Sequence, residues 1–351
     1  MCYGIGNSKK GEDGMSKANF QRVLALKLYE VLYQESDEEH GLSLAEMREA
    51  LTRRGYSCDV RTIRLALQAL WQAGYDIQRE FHHPRNLYWL LDRPFDVAEL
   101  QILADAVRSA TCITEKKTGQ LVEKLAQMAG RHCARVLEQK HRVYSVQKSR
   151  NENIFRFTDQ LHQAIEADRQ VAFFYLRNRR LRCGADGAPR QYRVSPVGTV
   201  FNDGFYYLVG ESEDHPRRLV SYRVDRMQQL EITPVPRALT EVGRRFSKEQ
   251  YKRRVFSMYT GTPTRVVFRI QPEWIDAVTD AFGPVVPRRP EPDGWYRVEA
   301  DVDISPTFFA WCCHFTHGFR IEGPEPVVAQ MCRHLESIVS QYSTGKEEVS
   351  E

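Results

Sequence analysis

The sequence predicts a multidomain α+β protein, and three patterns lead there. Residues 17–92 hold three helical periodicities followed by two alternating runs. Residues 192–227 hold short strand-like runs parted by tight-turn residues, and residues 262–342 alternate strand and helix patterns. At 351 residues the chain is long enough for two or three separate cores. A hydrophobic content of 42% and a charged content of 27% are those of globular proteins, which excludes a wholly disordered chain.

Residues 1–16 are rich in Gly and Lys and poor in apolar groups, and disorder is expected there. A helix is expected from about Lys17, with Phe20, Val23, Leu24, Leu28 and Val31 on one face. Ser43 suits an N-cap, and Glu46 three residues on completes a capping box for a second helix that ends near Arg53, before Gly55. Asp59 caps a third helix, with Val60, Ile63, Leu67, Leu70 and Trp71 inward and Arg61, Thr62, Arg64 and Gln68 outward. Two strands, at 77–82 and 86–90, flank a His83-Pro84-Arg85 turn.

Three helices and a hairpin are the plan of a winged helix-turn-helix over residues 17–92. In that plan the third helix enters the major groove of duplex DNA while the hairpin touches backbone. The candidate DNA contacts are Arg61, Thr62, Arg64 and Gln68 on the helix and His82, His83 and Arg85 on the wing. The same module also serves as a protein-interaction fold. Lys and Arg against Asp and Glu give residues 17–92 a balance of about −1, so DNA contact there rests on a local patch.

Residues 93–150 read as a helical connector and a candidate dimer contact. Asp96 caps one helix that runs through Val107, and Thr118 or a neighbour opens another with Leu121, Leu125 and Met128 on one face. An amphipathic helix over 155–168 and a strand over 170–175 come next. A turn-rich basic cluster of Arg177, Arg179, Arg180 and Arg182 follows, within a stretch (131–193) that carries roughly +8. A basic loop is by default solvated; beside a binding surface it becomes one wall of an anion site.

The stretch from Tyr192 to Met227 carries the most information. Asp203-Gly204 between two β-branched and aromatic runs is a hairpin signal, because the turn needs positive φ. Residues 205–209 and 219–224 supply two further strands, separated by a polar, Pro-containing loop. Strand pairing brings Tyr206, Tyr207, Tyr222, Arg223 and Arg226 near one another. Arg offers a planar fork for phosphate or carboxylate, and Tyr a ring for stacking. The same pattern also fits ordinary strand packing with water-facing arginines.

Tyr206-Tyr207-Leu208 resembles the Trp-Tyr-Leu signature of the WYL domain family, with Tyr in place of the leading Trp. Ser195-Pro196 upstream and Tyr222-Arg223-Val224-Asp225-Arg226-Met227 downstream fall where that family carries a Pro and an Arg-x-Leu-Asp-Arg-Ile segment. The resemblance implies a small Sm- or SH3-like barrel over 151–235. Carried over residue by residue, the ligand-binding candidates are Tyr207, Arg223 and Arg226, with Ser195 as a polar support. Tyr222, Arg177 and Arg179 join them from the chemistry of the stretch.

A charged linker is expected over 236–261. The strand–helix order of 262–342 is that of a small α+β sandwich and resembles the extension domain that often follows WYL in bacterial regulators. A disordered tail is expected over 343–351.

Catalytic signatures are absent: no Gly-rich phosphate loop, no His-Glu-x-x-His and no nucleophile elbow. No enzyme activity, cofactor or metal is therefore expected. The eight cysteines are scattered and fit neither a disulfide framework nor a zinc site. No apolar run spans a bilayer and the first residues lack a signal-peptide core, so no membrane association and a cytoplasmic location are expected.

The resemblance implies a homodimeric, ligand-responsive transcriptional regulator. Its winged helix binds double-stranded DNA, and its barrel senses an anionic effector, a nucleotide or single-stranded nucleic acid. The other reading is an accessory protein that binds RNA or single strands and modulates a partner enzyme.

Overall fold

A computed structural model describes residues 17–91, 93–134 and 147–343. The disorder expected at 1–16, nearly all of the expected tail and the connector residues 135–146 lie outside the described residues. The chain divides into two compact units, one up to Lys148 and one from Ser149 onward.

In the first unit α1 (Lys17–Glu35), α2 (Leu44–Arg53) and α3 (Val60–Gln72) precede a hairpin of β1 (Ile77–His82) and β2 (Arg85–Leu90). All five share one core, centred on Leu24, Leu28, Met47, Leu51, Ile63, Leu67 and Leu90. The Ser43–Glu46 capping box forms as expected, and Asp59 accepts the Thr62 amide at 2.7 Å. The hairpin runs in register from Ile77 opposite Leu90 to His82 opposite Arg85, and Leu42 adds a bridge to Tyr88. Trp71 is not inward as expected. Its indole N–H donates to the Ile77 carbonyl at 2.7 Å and its ring is 39% exposed, while Ala66 takes the buried position. An indole that must satisfy its N–H settles beside a free carbonyl at the hairpin's edge.

Next come α4 (Val97–Ser109) and α5 (Glu115–Ala129). Asp96 caps α4 in a full capping box with Glu99. The cap of α5 is Thr114, one turn before the expected Thr118, which is buried inside the helix. The inward face is consequently Val122, Ala126 and Ala129, with Leu125 and Met128 half-buried beside it. Lys148 closes the far end of α4, donating to the carbonyls of Val107, Arg108 and Ala110 at 3.1, 2.5 and 2.9 Å.

In the second unit α6 (Ile154–Glu166) packs on an antiparallel sheet. Its strands are β3 (Arg169–Arg177), β4 (Arg180–Leu181), β5 (Gln191–Asn202), β6 (Phe205–Ser212), β7 (His215–Arg223) and β8 (Met227–Pro236). The order is β8-β3-β5-β6-β7, with β4 folding back on the end of β3. A 3-10 turn, Val224–Arg226, leads from β7 into β8. Among the described residues no ladder joins β7 to β8, so the expected barrel stands as an open sheet, bent at bulges such as that between Pro196 and Gly198.

Asp203 and Gly204 make the β5–β6 turn with φ of 46° and 77°, as that hairpin requires. Gly210 is needed for a different reason: a Cβ there would sit 2.5 Å from Val194 Cγ1 and 2.6 Å from the Ser195 carbonyl. The polar loop expected before residue 219 shrinks to Glu213-Asp214, because β7 already begins at His215.

The stretch expected as a linker is folded. It forms α7 (Glu241–Arg244), α8 (Lys248–Arg254) and a 3-10 turn, Phe256–Met258. Tyr251, Val255 and Met258 pack on Val200, Val209 and Leu219 of the sheet. The buried Glu211 carboxylate anchors the start of this strap, accepting from Thr240 N–H at 2.8 Å, Thr240 hydroxyl at 2.5 Å and Gly243 N–H at 3.0 Å.

The C-terminal part has β9 (Thr262–Ile270), α9 (Ile275–Phe282), β10 (Arg288–Pro290), β11 (Tyr296–Ile304), α10 (Pro306–Cys312), β12 (Phe319–Gly323) and α11 (Glu325–Ser343). Its antiparallel sheet has the order β10-β11-β9-β12, and Val278, Phe282, Phe308, Phe309 and Val327 from the helices complete its core. The expected order of elements is present, with β10 added. No helix among the described residues is long and apolar enough to cross a membrane.

Candidate functional site

Five lining arginines, Arg177, Arg182, Arg190, Arg223 and Arg226, meet in a cleft of about 830 Å³ on the second unit. The sheet supplies most of it. Tyr207 on β6 stands opposite Arg223 on β7, with Leu208 opposite Tyr222, so strand alternation puts Tyr207 and Arg223 on one face. Tyr206 does not line the cleft and packs on Phe201 with ring centroids 5.0 Å apart.

Beneath the arginines lies a wall of rings. Tyr222 meets Phe173, Tyr175 and Tyr192 edge-on at 5.3, 5.5 and 5.5 Å. Burial pushes the hydroxyls of Tyr175, Tyr207 and Tyr222 above the ordinary tyrosine range, so all three are neutral phenols at physiological pH. The Tyr175 oxygen accepts the Arg223 backbone N–H at 3.1 Å, which ties this wall to the end of β7.

The cations differ in how they are held. Arg223 donates through Nε and Nη2 to Asp225 at 3.1 and 2.8 Å and lies 3.3 Å from the Phe205 ring centroid. Arg190 pairs with Asp214 and covers the Tyr192 ring at 5.3 Å. Arg177, Arg182 and Arg226 have no carboxylate partner among the described residues and stand exposed. The turn that carries Arg226 is fixed by Asn151, whose side-chain amide donates to the carbonyls of Asp225 and Met227 at 3.1 and 3.2 Å. Three unpaired guanidinium groups over neutral phenols attract an anion and offer it bidentate donors.

Of the expected ligand residues, Tyr207, Tyr222, Arg223, Arg226 and Arg177 line this cleft. Ser195 does not: it is buried, and its oxygen accepts from Gln170 Nε2 at 3.2 Å and Ala238 N–H at 3.0 Å. Arg179 does not either. It occupies the two-residue turn with Asn178, at φ of 63°, and Arg177 and Arg182 on either side supply the basic wall instead. Sequence reasoning missed Arg190, Asp214, His215 and the segment Ser257–Thr260, which closes one side of the cleft. The only signal for Arg190 was its place two residues before Tyr192.

On the first unit Arg61, Arg64 and Gln68 stand exposed along α3. Thr62 is half-buried and donates its hydroxyl to Asp59 at 2.6 Å. His82, His83 and Arg85 are exposed at the hairpin tip, with His82 3.1 Å from Glu80 and Arg85 3.9 Å from Glu46. Among the described residues no group of three His, Cys, Asp or Glu side chains is placed to hold a metal ion.

Residues 156–232 match the WYL domain family and residues 262–339 match the WCX domain family. The chain thus carries a WYL domain followed by a WCX domain, and the cleft is built mainly from the first. No curated protein matches the chain. Among solved structures, proteasome accessory factor B/C (PafBC) of Arthrobacter aurescens is similar at 17% identity, over 92% of this chain and 46% of that one, with a TM-score of 0.27. The chain therefore spans less than half of that protein's length. A CRISPR Cas-related protein is similar at 12% identity, over 97% of this chain and 89% of that one, with a TM-score of 0.35.

Proposed function

We propose that this WYL- and WCX-domain protein is a ligand-responsive, homodimeric transcriptional regulator with no catalytic step of its own. The observation that carries the reading is the cleft. Among the described residues Arg177, Arg182 and Arg226 stand unpaired in it, Arg223 is oriented by Asp225, and all surround buried and half-buried phenols. Such a site suits a nucleotide or a short single strand, whose phosphates take the forks and whose bases take the rings. The connectivity supports the Sm- or SH3-like reading of this unit, since the last strand, β8, returns to pair with the first, β3.

The first unit supports duplex binding by the arrangement of α1 to α3 and the hairpin. Arg61, Arg64 and Gln68 project from one side of α3, and His82, His83 and Arg85 from the wing. Thr62 contributes through its oxygen alone, its proton being engaged with Asp59. Dimerisation follows from the need to read more base pairs than one short helix covers.

The test is a titration of the purified protein with its own upstream promoter DNA and with random duplex. It is run at two salt concentrations, with and without short single-stranded oligonucleotides. Promoter-selective binding that the oligonucleotide shifts is the expected result. Binding to single strands alone, with no promoter preference, overturns it in favour of an accessory protein acting on RNA or single strands.

A further inference from the structure

We infer that Tyr259 is the base-stacking residue of the cleft, so that its effector carries a nucleobase as well as phosphate. This rests on the nucleotide or single-strand reading above and assigns its base contact to one residue. Tyr259 lines the cleft but belongs to neither the WYL strands nor the WCX sheet. Among the described lining residues it is the one exposed tyrosine, at 63%. Tyr192 and Tyr222 are buried in the wall, and Tyr175 and Tyr207 are half-buried.

Its position is imposed by its neighbours. Phe256 is seated in the WCX core, with ring centroids 5.5 Å from Phe308 and 5.0 Å from Trp311. Met258 is buried two residues later against the WYL sheet, in the cluster of Val200, Val209 and Leu219. To satisfy both anchors, Ser257 and Met258 take φ of 48° and 60°, the left-handed region that side chains other than glycine avoid. The Tyr259 N–H then donates to the Phe256 carbonyl at 3.0 Å and locks the turn.

Two consecutive strained residues thus hold a large aromatic ring in water at the edge of an arginine cleft. A planar base stacked on it, with its phosphate on Arg177, Arg182 or Arg226, uses both the exposed ring and the unpaired cations. The base can come from a mononucleotide or from the end of a single strand, and the stacking chemistry is the same.

The experiment uses the full chain and three probes: a fluorescent dT5, dTMP and inorganic tripolyphosphate, each titrated against wild type, Tyr259→Ala and Tyr259→Phe. Tyr259→Ala is expected to weaken dT5 binding about tenfold, the size of one base stack, while Tyr259→Phe retains it. Tripolyphosphate, which has no base, is expected to bind all three proteins alike. An equal loss for dTMP places the stack on a single nucleotide; a loss for dT5 alone places it on a strand end. Either pattern supports the assignment. Unchanged dT5 binding by Tyr259→Ala, or an equal loss for tripolyphosphate, overturns it. Wild type that binds tripolyphosphate but no base-bearing probe overturns the stacking role and leaves the anion site standing. Wild type that binds none of the three overturns the anion-site reading as well.

Discussion

Asp225 holds Arg223 by both carboxylate oxygens, at 3.1 and 2.8 Å, and so keeps the guanidinium over the Phe205 ring. The pair sets orientation against net charge. Removing Asp225 makes the cleft more positive but frees the fork. Pre-organisation is worth more here than one more unit of field, because Arg side chains lose much rotamer freedom when fixed by a ligand. Asp225→Ala is therefore expected to weaken dT5 binding about tenfold at physiological salt. Anisotropy titration checks this, and tighter binding by the variant would show that bulk charge rules the site.

Arg177, Arg182 and Arg226 differ from Arg223 in having, among the described residues, no carboxylate to leave. Each that meets a phosphate releases counterions, which appears in the salt dependence of binding. For single strands the slope of log K against log salt is expected to fall by about 0.7 for each arginine changed to Ala. Titrations at four salt concentrations measure it. A slope identical to wild type in the triple variant removes these residues from the site.

Arg61 and Arg64 project from α3 into solvent, away from the core that Ile63 and Leu67 enter. Arg61→Ala with Arg64→Ala is expected to reduce promoter binding at least tenfold, by about 1–3 kcal/mol for each arginine that reads a base edge. Helical content and the binding of dT5 are expected to stay as in wild type. A footprint unchanged at any salt concentration would move duplex recognition off this helix.

Local chemistry was what the sequence made legible. Ser43, Asp59, Asp96 and the Asp203-Gly204 turn were all identifiable, because a cap or a tight turn is decided by residues three or four apart. The nearness of Tyr207, Tyr222, Arg223 and Arg226 followed from the turn and the strand runs, whereas the register that sets Tyr207 opposite Arg223 did not. The strap at 240–260 was invisible, because its order comes from contacts across the fold. Glu211 accepts from Thr240 and Gly243 some 30 residues later, and Met258 enters a cluster of sheet residues. Ser195 and Arg179 were misjudged for a related reason. Ser195 is buried and held by Gln170 and the Ala238 N–H, partners 25 and 43 residues away, and Arg179 sits with Asn178 in the turn between β3 and β4.

Glu46 gives a stability difference that depends on pH. The Ser43 hydroxyl and backbone N–H, at 2.5 and 2.8 Å, hold its carboxyl below the ordinary glutamate range. A depressed folded value means that the unfolded chain binds the proton more tightly. The stabilisation is thus present above the unfolded value and is lost as pH falls through the folded one. Glu46→Gln is expected to lower stability by about 0.5–1 kcal/mol at neutral pH. The difference from wild type closes as pH drops through the acidic carboxylate range. Urea denaturation at pH 7 and pH 3.5 reads this out.

Glu211 is expected to decide whether the start of the strap stays on the sheet. The Glu211 side chain accepts three hydrogen bonds from Thr240 and Gly243, and Gly243 packs so close that a Cβ there would come within 2.8 Å of the carboxylate. Glu211→Ala leaves two backbone N–H groups without their acceptor and opens space beneath α7, at a cost of about 2–3 kcal/mol. Because those hydrogen bonds belong to one end of the strap, the loss is local before it is global. Limited trypsin digestion is expected to cut the variant at Arg244 and Arg245 faster than it cuts wild type there. The ring of Tyr259 lies further along the same strap, so dT5 affinity is expected to fall with the protection. Protection retained in Glu211→Ala would place the strap's stability in the Tyr251 and Met258 packing instead.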